Sequence, residues 1–174
     1  MVLLVLGWVS AVITGFVSMD RYEAVPGSGA IVQTKQSEKV GKWRFILVVA
    51  SYCPCSRASI SALKAAVESH ADSTEAEVLF ADQPKQGDWS YEKSKSIRNC
   101  QVLTSAKDRH GARTSGQTFL YDPNGKLVYS GGLTQGRGVD DSRFAMKLYD
   151  AYRGGDHTLK GGPVFGCELA EASK

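Results

Sequence analysis

The stretch Arg44-Phe-Ile-Leu-Val-Val-Ala50-Ser-Tyr-Cys53-Pro-Cys55-Ser56 decides how this chain is read. Its first half is a continuous apolar, β-branched run, the pattern of a strand buried on both faces. The run ends in two cysteines flanking a proline. Arg57 to His70 follows as a helix with Ile60, Leu63 and Val67 on one face. Glu77-Val-Leu-Phe-Ala-Asp82 reads as a second strand. Strand, helix, strand is a βαβ unit, which makes the strands parallel and the crossover right-handed.

Outward from that unit, Asp88 to Asn99 is a polar surface helix and Cys100 to Thr104 a short strand. Thr118 to Asp122 and Lys126 to Ser130 flank Pro123-Asn124-Gly125, the signature of an antiparallel hairpin. Asp141 to Arg153 is an amphipathic helix with Phe144, Leu148 and Tyr152 in one stripe. The Gly-rich tail, Gly161 to Glu168, is irregular. The domain therefore begins near Trp43 and runs to residue 174, an α/β unit that combines parallel strands with an antiparallel hairpin.

Composition sets the remaining bounds. The 174 residues are 43% hydrophobic and 22% charged, which excludes disordered, collagenous and coiled-coil classes. A net charge of +3, dispersed along the chain, gives no footprint for nucleic acid. Four cysteines are far too sparse for a disulfide scaffold, so their placement carries the meaning. Three histidines, none adjacent to another, argue against a His-built metal centre.

The N-terminus has a separate character. Val2 to Ser18 holds no charge and ends at Asp20 and Arg21; as a helix it spans about 25 Å. It lacks the basic start and small-x-small cleavage site of a signal peptide. Residues 1–19 are thus expected to be an uncleaved membrane anchor, and residues 20–42, rich in Gly, Ser and Lys, a flexible tether. Basic residues C-terminal to the span would hold the domain in the cytoplasm. The cysteine chemistry points the other way, to the extracytoplasmic side, which is the location expected here.

The order βαβ, hairpin, helix, with Cys53 after the first strand and Tyr52 before it, resembles the thioredoxin-like superfamily, and within it the membrane-anchored bacterial RedB-like group. The resemblance covers roughly Trp43 to Arg153 and implies a thioredoxin-like fold, a central mixed β-sheet flanked by helices on both faces. It implies a redox cysteine at the start of a helix, where orphan N–H groups and the helix dipole stabilise a thiolate. Pro54 in the first turn forfeits only a donor that would be unpaired anyway.

The chain departs from the family in three places. The usual C-x-x-C is replaced by Cys53-Pro54-Cys55-Ser56. Aligning Arg57-Ala58 and Leu63 with the C-x-x-C-R-A pattern puts Ser56 in the second-cysteine position. A C-x-C bridge closes a small, strained ring, which favours an oxidant or isomerase over a reductant. Gln117 stands where the family has a cis-proline that shapes the substrate groove and keeps metals off the thiols, and Leu47 stands where thioredoxin has a buried acid.

Other motifs carry less. Ala50 occupies the position where a peroxiredoxin needs Thr, and Gly131 to Gly138 lacks the Gly-Lys-Ser/Thr ending of a phosphate loop. Cys100 reads as a core residue opening a strand. Cys167, in the Gly-rich tail, is a candidate resolving thiol if the tail folds back.

Together these features predict thiol–disulfide exchange with other proteins and a redox partner. Cys53 is the attacking thiolate and Cys55 the resolving thiol; Tyr52, Pro54, Gly116 and Gln117 line the substrate groove. No organic cofactor or metal is expected. The rival is a copper metallochaperone holding Cu(I) on Cys53 and Cys55 with His110 as third ligand, since soft thiolates suit that ion.

Overall fold

The computed structural model describes residues 2–27 and 41–170. The sheet has five strands in the order β3-β2-β1-β4-β5: β1 Trp43–Val49, β2 Thr74–Phe80, β3 Cys100–Leu103, β4 Gln117–Tyr121 and β5 Leu127–Gly131. β1, the apolar run, is central, parallel to β2 and antiparallel to β4. β3 adds a parallel edge beside β2, and the hairpin β4–β5 forms the other edge. Helices α2 Ser56–Ser69, α3 Trp89–Lys95 and α4 Ser142–Arg153 complete the domain, so each predicted element is present within a few residues of its expected place.

Local chemistry explains the boundaries. Asp88 and Asp141 cap α3 and α4 by accepting the N–H groups of Tyr91 and Phe144. At the hairpin turn, the Asp122 carboxylate accepts the N–H groups of Asn124 and Lys126, both at 2.9 Å.

Side chains of β1 alternate between two cores. Phe45, Leu47 and Val49 join Ile60, Leu63 and Val67 of α2 and Leu148, Tyr149 and Tyr152 of α4. Ile46, Val48 and Ala50 face the other way, with Leu79, Phe119, Tyr121 and Cys53. Here the fold departs from the expected helices on both faces. This second face is covered by irregular chain, through Ala106, Ala112, Cys167 and Leu169. The C-terminal segment is therefore a strap closing a core.

Helix α1, Val2–Ala24, precedes the domain and continues past the expected end of the anchor. The membrane span expected over residues 1–19 is not supported: among the described residues no helix is long and apolar enough to cross a membrane. The end of α1 touches the domain, where the Arg137 guanidinium lies 4.9 Å from the Tyr22 ring centroid. The Gly27 N–H donates to the Val164 carbonyl at 2.7 Å. Of the expected tether, residues 28–40 lie outside the described residues.

Candidate active site

The chain leaves β1 at Val49 and turns into α2 through Ala50 to Cys55. The Cys53 N–H donates to the Ala50 carbonyl at 3.2 Å, and the Ser56 N–H donates to the Cys53 carbonyl at 3.0 Å. Cys55 is the N-cap of α2, with no side-chain capping bond. Both sulfurs thus stand at a helix N-terminus, as the sequence predicts.

Ser56, the residue in the second-cysteine position, is fully buried and structural. Its hydroxyl donates to the Ala50 carbonyl at 2.7 Å and lies 2.9 Å from the Ser115 hydroxyl oxygen. Ser115 Oγ in turn accepts the Ala50 N–H at 3.0 Å. Two buried hydroxyls therefore satisfy both backbone groups of Ala50 and fix the turn that aims Cys53. On the outer side, the Ser51 N–H donates to the Asp82 carboxylate at 2.9 Å, and its hydroxyl at 2.5 Å.

Cys53 is 1% exposed. What covers it is the strap. The Cys167 N–H donates to Cys53 Sγ at 3.3 Å, and the Cys167 thiol also lies against it as a donor. Burial alone would push the Cys53 thiol up. The Cys167 thiol and N–H, the Cys55 N–H and the Ser115 hydroxyl outweigh that effect and bring it below its ordinary value. Cys55 moves the opposite way, pushed up by burial and by the neighbouring Cys53 charge, against the pull of Arg137 and the Gly138 N–H. Cys167 is pushed up to about 11 by burial and by its hydrogen bond and proximity to Cys53. The shifts thus run in opposite senses, Cys53 towards its thiolate and its two neighbours towards their neutral thiols. Cys100 stands apart on β3, pushed up to about 11 by burial and by Glu77.

The strap is held along its length. The Ser115 N–H donates to the Cys167 carbonyl and the Leu169 N–H to the Arg113 carbonyl, both at 2.8 Å. Arg137 Nη1 donates to the Gly166 carbonyl at 2.6 Å, and the Tyr52 hydroxyl to the Glu168 carbonyl at 3.1 Å. The Gly131 to Gly138 loop, which has no phosphate-loop ending, delivers Arg137 to this site.

Of the other expected site residues, Tyr52 is 57% exposed beside the cysteines and Pro54 is exposed between them. Gly116, at φ +96°, lies behind the turn, where a Cβ would approach Ser59 Oγ to 2.9 Å. Gln117 is 1% exposed, and its Nε2 donates to Ser130 Oγ at 2.9 Å, so its side chain joins β4 to β5 and lines no open groove. Its peptide bond is trans. His110, at φ +53°, has its ring centroid 5.8 Å from that of Phe119. The set Cys53, Cys55 and His110 is not formed as a ligand cluster: among the described residues no group of three His, Cys, Asp or Glu side chains is placed to hold a metal ion. His110 is committed to its tight turn and to the Phe119 ring.

The βαβ–ββα order, with a cysteine turn between the first strand and its helix, decides the architecture. The fold is thioredoxin-like. No family model matches the chain, and no curated protein does. It is similar to the solved structure of a hypothetical protein from Sinorhizobium meliloti, at TM-score 0.64 and 16% identity over 87% of this chain and 94% of that one. An uncharacterized conserved protein from Geobacillus kaustophilus matches at TM-score 0.59 and 15% identity, over 87% and 92% of the two chains. A looser likeness, TM-score 0.46 at 18% identity over 74% and 97% of the chains, is to the thioredoxin domain of a thiol-disulfide oxidoreductase from Bacteroides vulgatus. None of these ties this thioredoxin-like chain to the RedB-like group.

Proposed function

We propose that this chain is a thiol–disulfide oxidoreductase or isomerase acting on the cysteines of other proteins, with Cys53 as the attacking thiolate and Cys55 as the resolving thiol. The observation that carries the reading is the set of donors converging on one sulfur. The N–H groups of Cys167 and Cys55 and the Ser115 hydroxyl all favour the thiolate of Cys53. A structural cysteine has no use for such a set, whereas a nucleophile depends on it.

In the exchange, the Cys53 thiolate attacks one sulfur of a substrate disulfide. The S–S bond breaks, and the departing thiolate takes a proton from solvent or from a neighbouring thiol. Cys55, once deprotonated, attacks Cys53 Sγ and releases the second substrate thiol. Two protein thiols are oxidised and one disulfide is reduced; run backwards, the same steps oxidise a substrate. Tyr52 and Pro54 are exposed beside the buried Cys53 and form the docking edge once the strap lifts, with a partner protein restoring the redox state. We place the chain on the extracytoplasmic side of a membrane, where the disulfides of substrate proteins persist.

Turnover of insulin or of scrambled ribonuclease by the full chain tests the reading. Cys53→Ser is expected to remove all activity, and wild-type turnover by that variant would refute the nucleophile assignment. A chain that stays reduced in glutathione buffers yet holds one Cu(I) on its two thiols would displace exchange by metal delivery.

A further inference from the structure

We propose that Cys167 is a second intramolecular partner for Cys53, and that a Cys53–Cys167 disulfide, tying the C-terminal strap across the site, is the oxidised resting form. The inference rests on the exchange reading above and adds to it a third thiol and a gate.

Geometry comes first. Cys53 and Cys167 are separated by 114 positions in sequence, yet the Cys167 N–H lies 3.3 Å from the Cys53 sulfur. The approach is built by the fold: the strap pairs with Arg113 to Ser115 through an isolated bridge between Thr114 and Glu168 and the two 2.8 Å backbone bonds on either side of it. Val164, Phe165 and Leu169 of the strap are themselves buried, and Gly166 passes against Ser115. The chain has therefore spent apolar contacts and main-chain bonds on holding one thiol over another.

Ring size decides which bond survives. A Cys53–Cys55 bridge closes a loop with one intervening residue and is strained. A bridge to Cys167 closes no short ring, because the strap is a separate segment. Once the Cys53–Cys55 bond has formed, the Cys167 thiolate attacks Cys53 Sγ, the Cys53–Cys55 bond breaks, and Cys55 leaves as a thiolate that takes up the proton Cys167 gave up. No electron enters or leaves in this step; it is an isomerisation that relieves strain.

The bond also locks the site. With the strap in place Cys53 is 1% exposed, too covered for a protein disulfide to reach. The four cysteines are free in this structure and the strap is nonetheless down; reduction of Cys53–Cys167 permits the strap to lift, and oxidation holds it shut.

The test is non-reducing peptide mapping of the full chain after equilibration with oxidised glutathione, with parallel alkylation of the reduced chain across pH. The Cys53–Cys167 peptide is expected to exceed Cys53–Cys55 by about tenfold, and Cys55→Ser is expected to form it still. Cys167→Ser is expected to leave Cys53 bridged to Cys55 or capped by glutathione, and to raise its alkylation rate in the reduced protein. A wild-type chain bridged only as Cys53–Cys55, with Cys167 free, would overturn the proposal while leaving the exchange reading intact. Failure of Cys53 to alkylate ahead of the other thiols, with no bridge or adduct at all, would remove both.

Discussion

A Cβ at Gly166 would lie 1.8 Å from the Ser115 carbonyl oxygen, closer than any two such atoms can come. The strap seats Cys167 over Cys53 only because residue 166 has no side chain. Gly166→Ala must therefore displace the strap or the strand-end it lies on, at a cost of about 1–3 kcal/mol of overpacking. The urea midpoint is expected to fall and Cys53 alkylation to accelerate together. A variant with unchanged Cys53 reactivity would mean that the strap does not guard the sulfur.

The buried hydroxyl pair gives a prediction whose sign separates two roles. Ser115 has one proton to give, and Ser56 Oγ, 2.9 Å away, competes for it with Cys53 Sγ. Ser115→Ala removes a donor from the thiolate and orphans the buried Ala50 N–H, at about 1–3 kcal/mol. The pH at which Cys53 alkylates should rise. Ser56→Ala also destabilises the turn by loosening the Ala50 carbonyl, but frees the Ser115 proton for Cys53, so that pH should not rise. Equal upward shifts in both variants would indicate mere loosening of the turn.

Alkaline stability follows from the raised thiols. Cys100 and Cys167 are pushed up to about 11 from an ordinary 9.0, so the folded state disfavours their thiolates. Their contribution is fully present below pH 9.0 and is lost as pH rises towards about 11. Cys53, lowered from the same value, acts in the opposite sense: its contribution is present above pH 9.0 and fades as pH falls through its lower folded value. Chemical denaturation of Cys100→Ser against pH should show a shallower alkaline limb than wild type. An identical limb would place the alkaline sensitivity elsewhere.

What the sequence made legible, and what it hid, divides along the range of the interactions. β1, α2, the hairpin and α4 are written in local periodicity and turn chemistry, and Cys53 follows from its place between strand and helix. Ser115, Arg137 and Cys167 reach the same sulfur through tertiary contacts, and nothing in the spacing of a Gly-rich tail says which strand it will lie on. Gln117 was misleading for a related reason. Its position at the head of β4 suggests a groove, but in an antiparallel hairpin its side chain finds Ser130 across the pair, and its buried Oε1 has no hydrogen-bond partner among the described residues. For the apolar N-terminal run, hydropathy predicts a span, while among the described residues no helix is long and apolar enough to cross a membrane.

The last prediction concerns His110, the residue that made a copper site conceivable. Its backbone N–H donates to the Asp108 carboxylate at 2.9 Å, and its ring lies against Phe119. These contacts give it a local role in a tight turn, and it joins no ligand cluster. Any Cu(I) the reduced chain takes up in competition with a chelator should therefore depend on the thiols alone. His110→Ala is expected to leave the apparent affinity within about twofold, while Cys53→Ser should weaken it by an order of magnitude or more, because soft thiolates dominate binding of this ion. A tenfold loss in His110→Ala, with the fold intact by circular dichroism, would require the loop to swing its imidazole onto the cysteines and would restore the metal-delivery reading. Without such a loss, any metal uptake belongs to the thiols alone and the loop serves as cover for the second core.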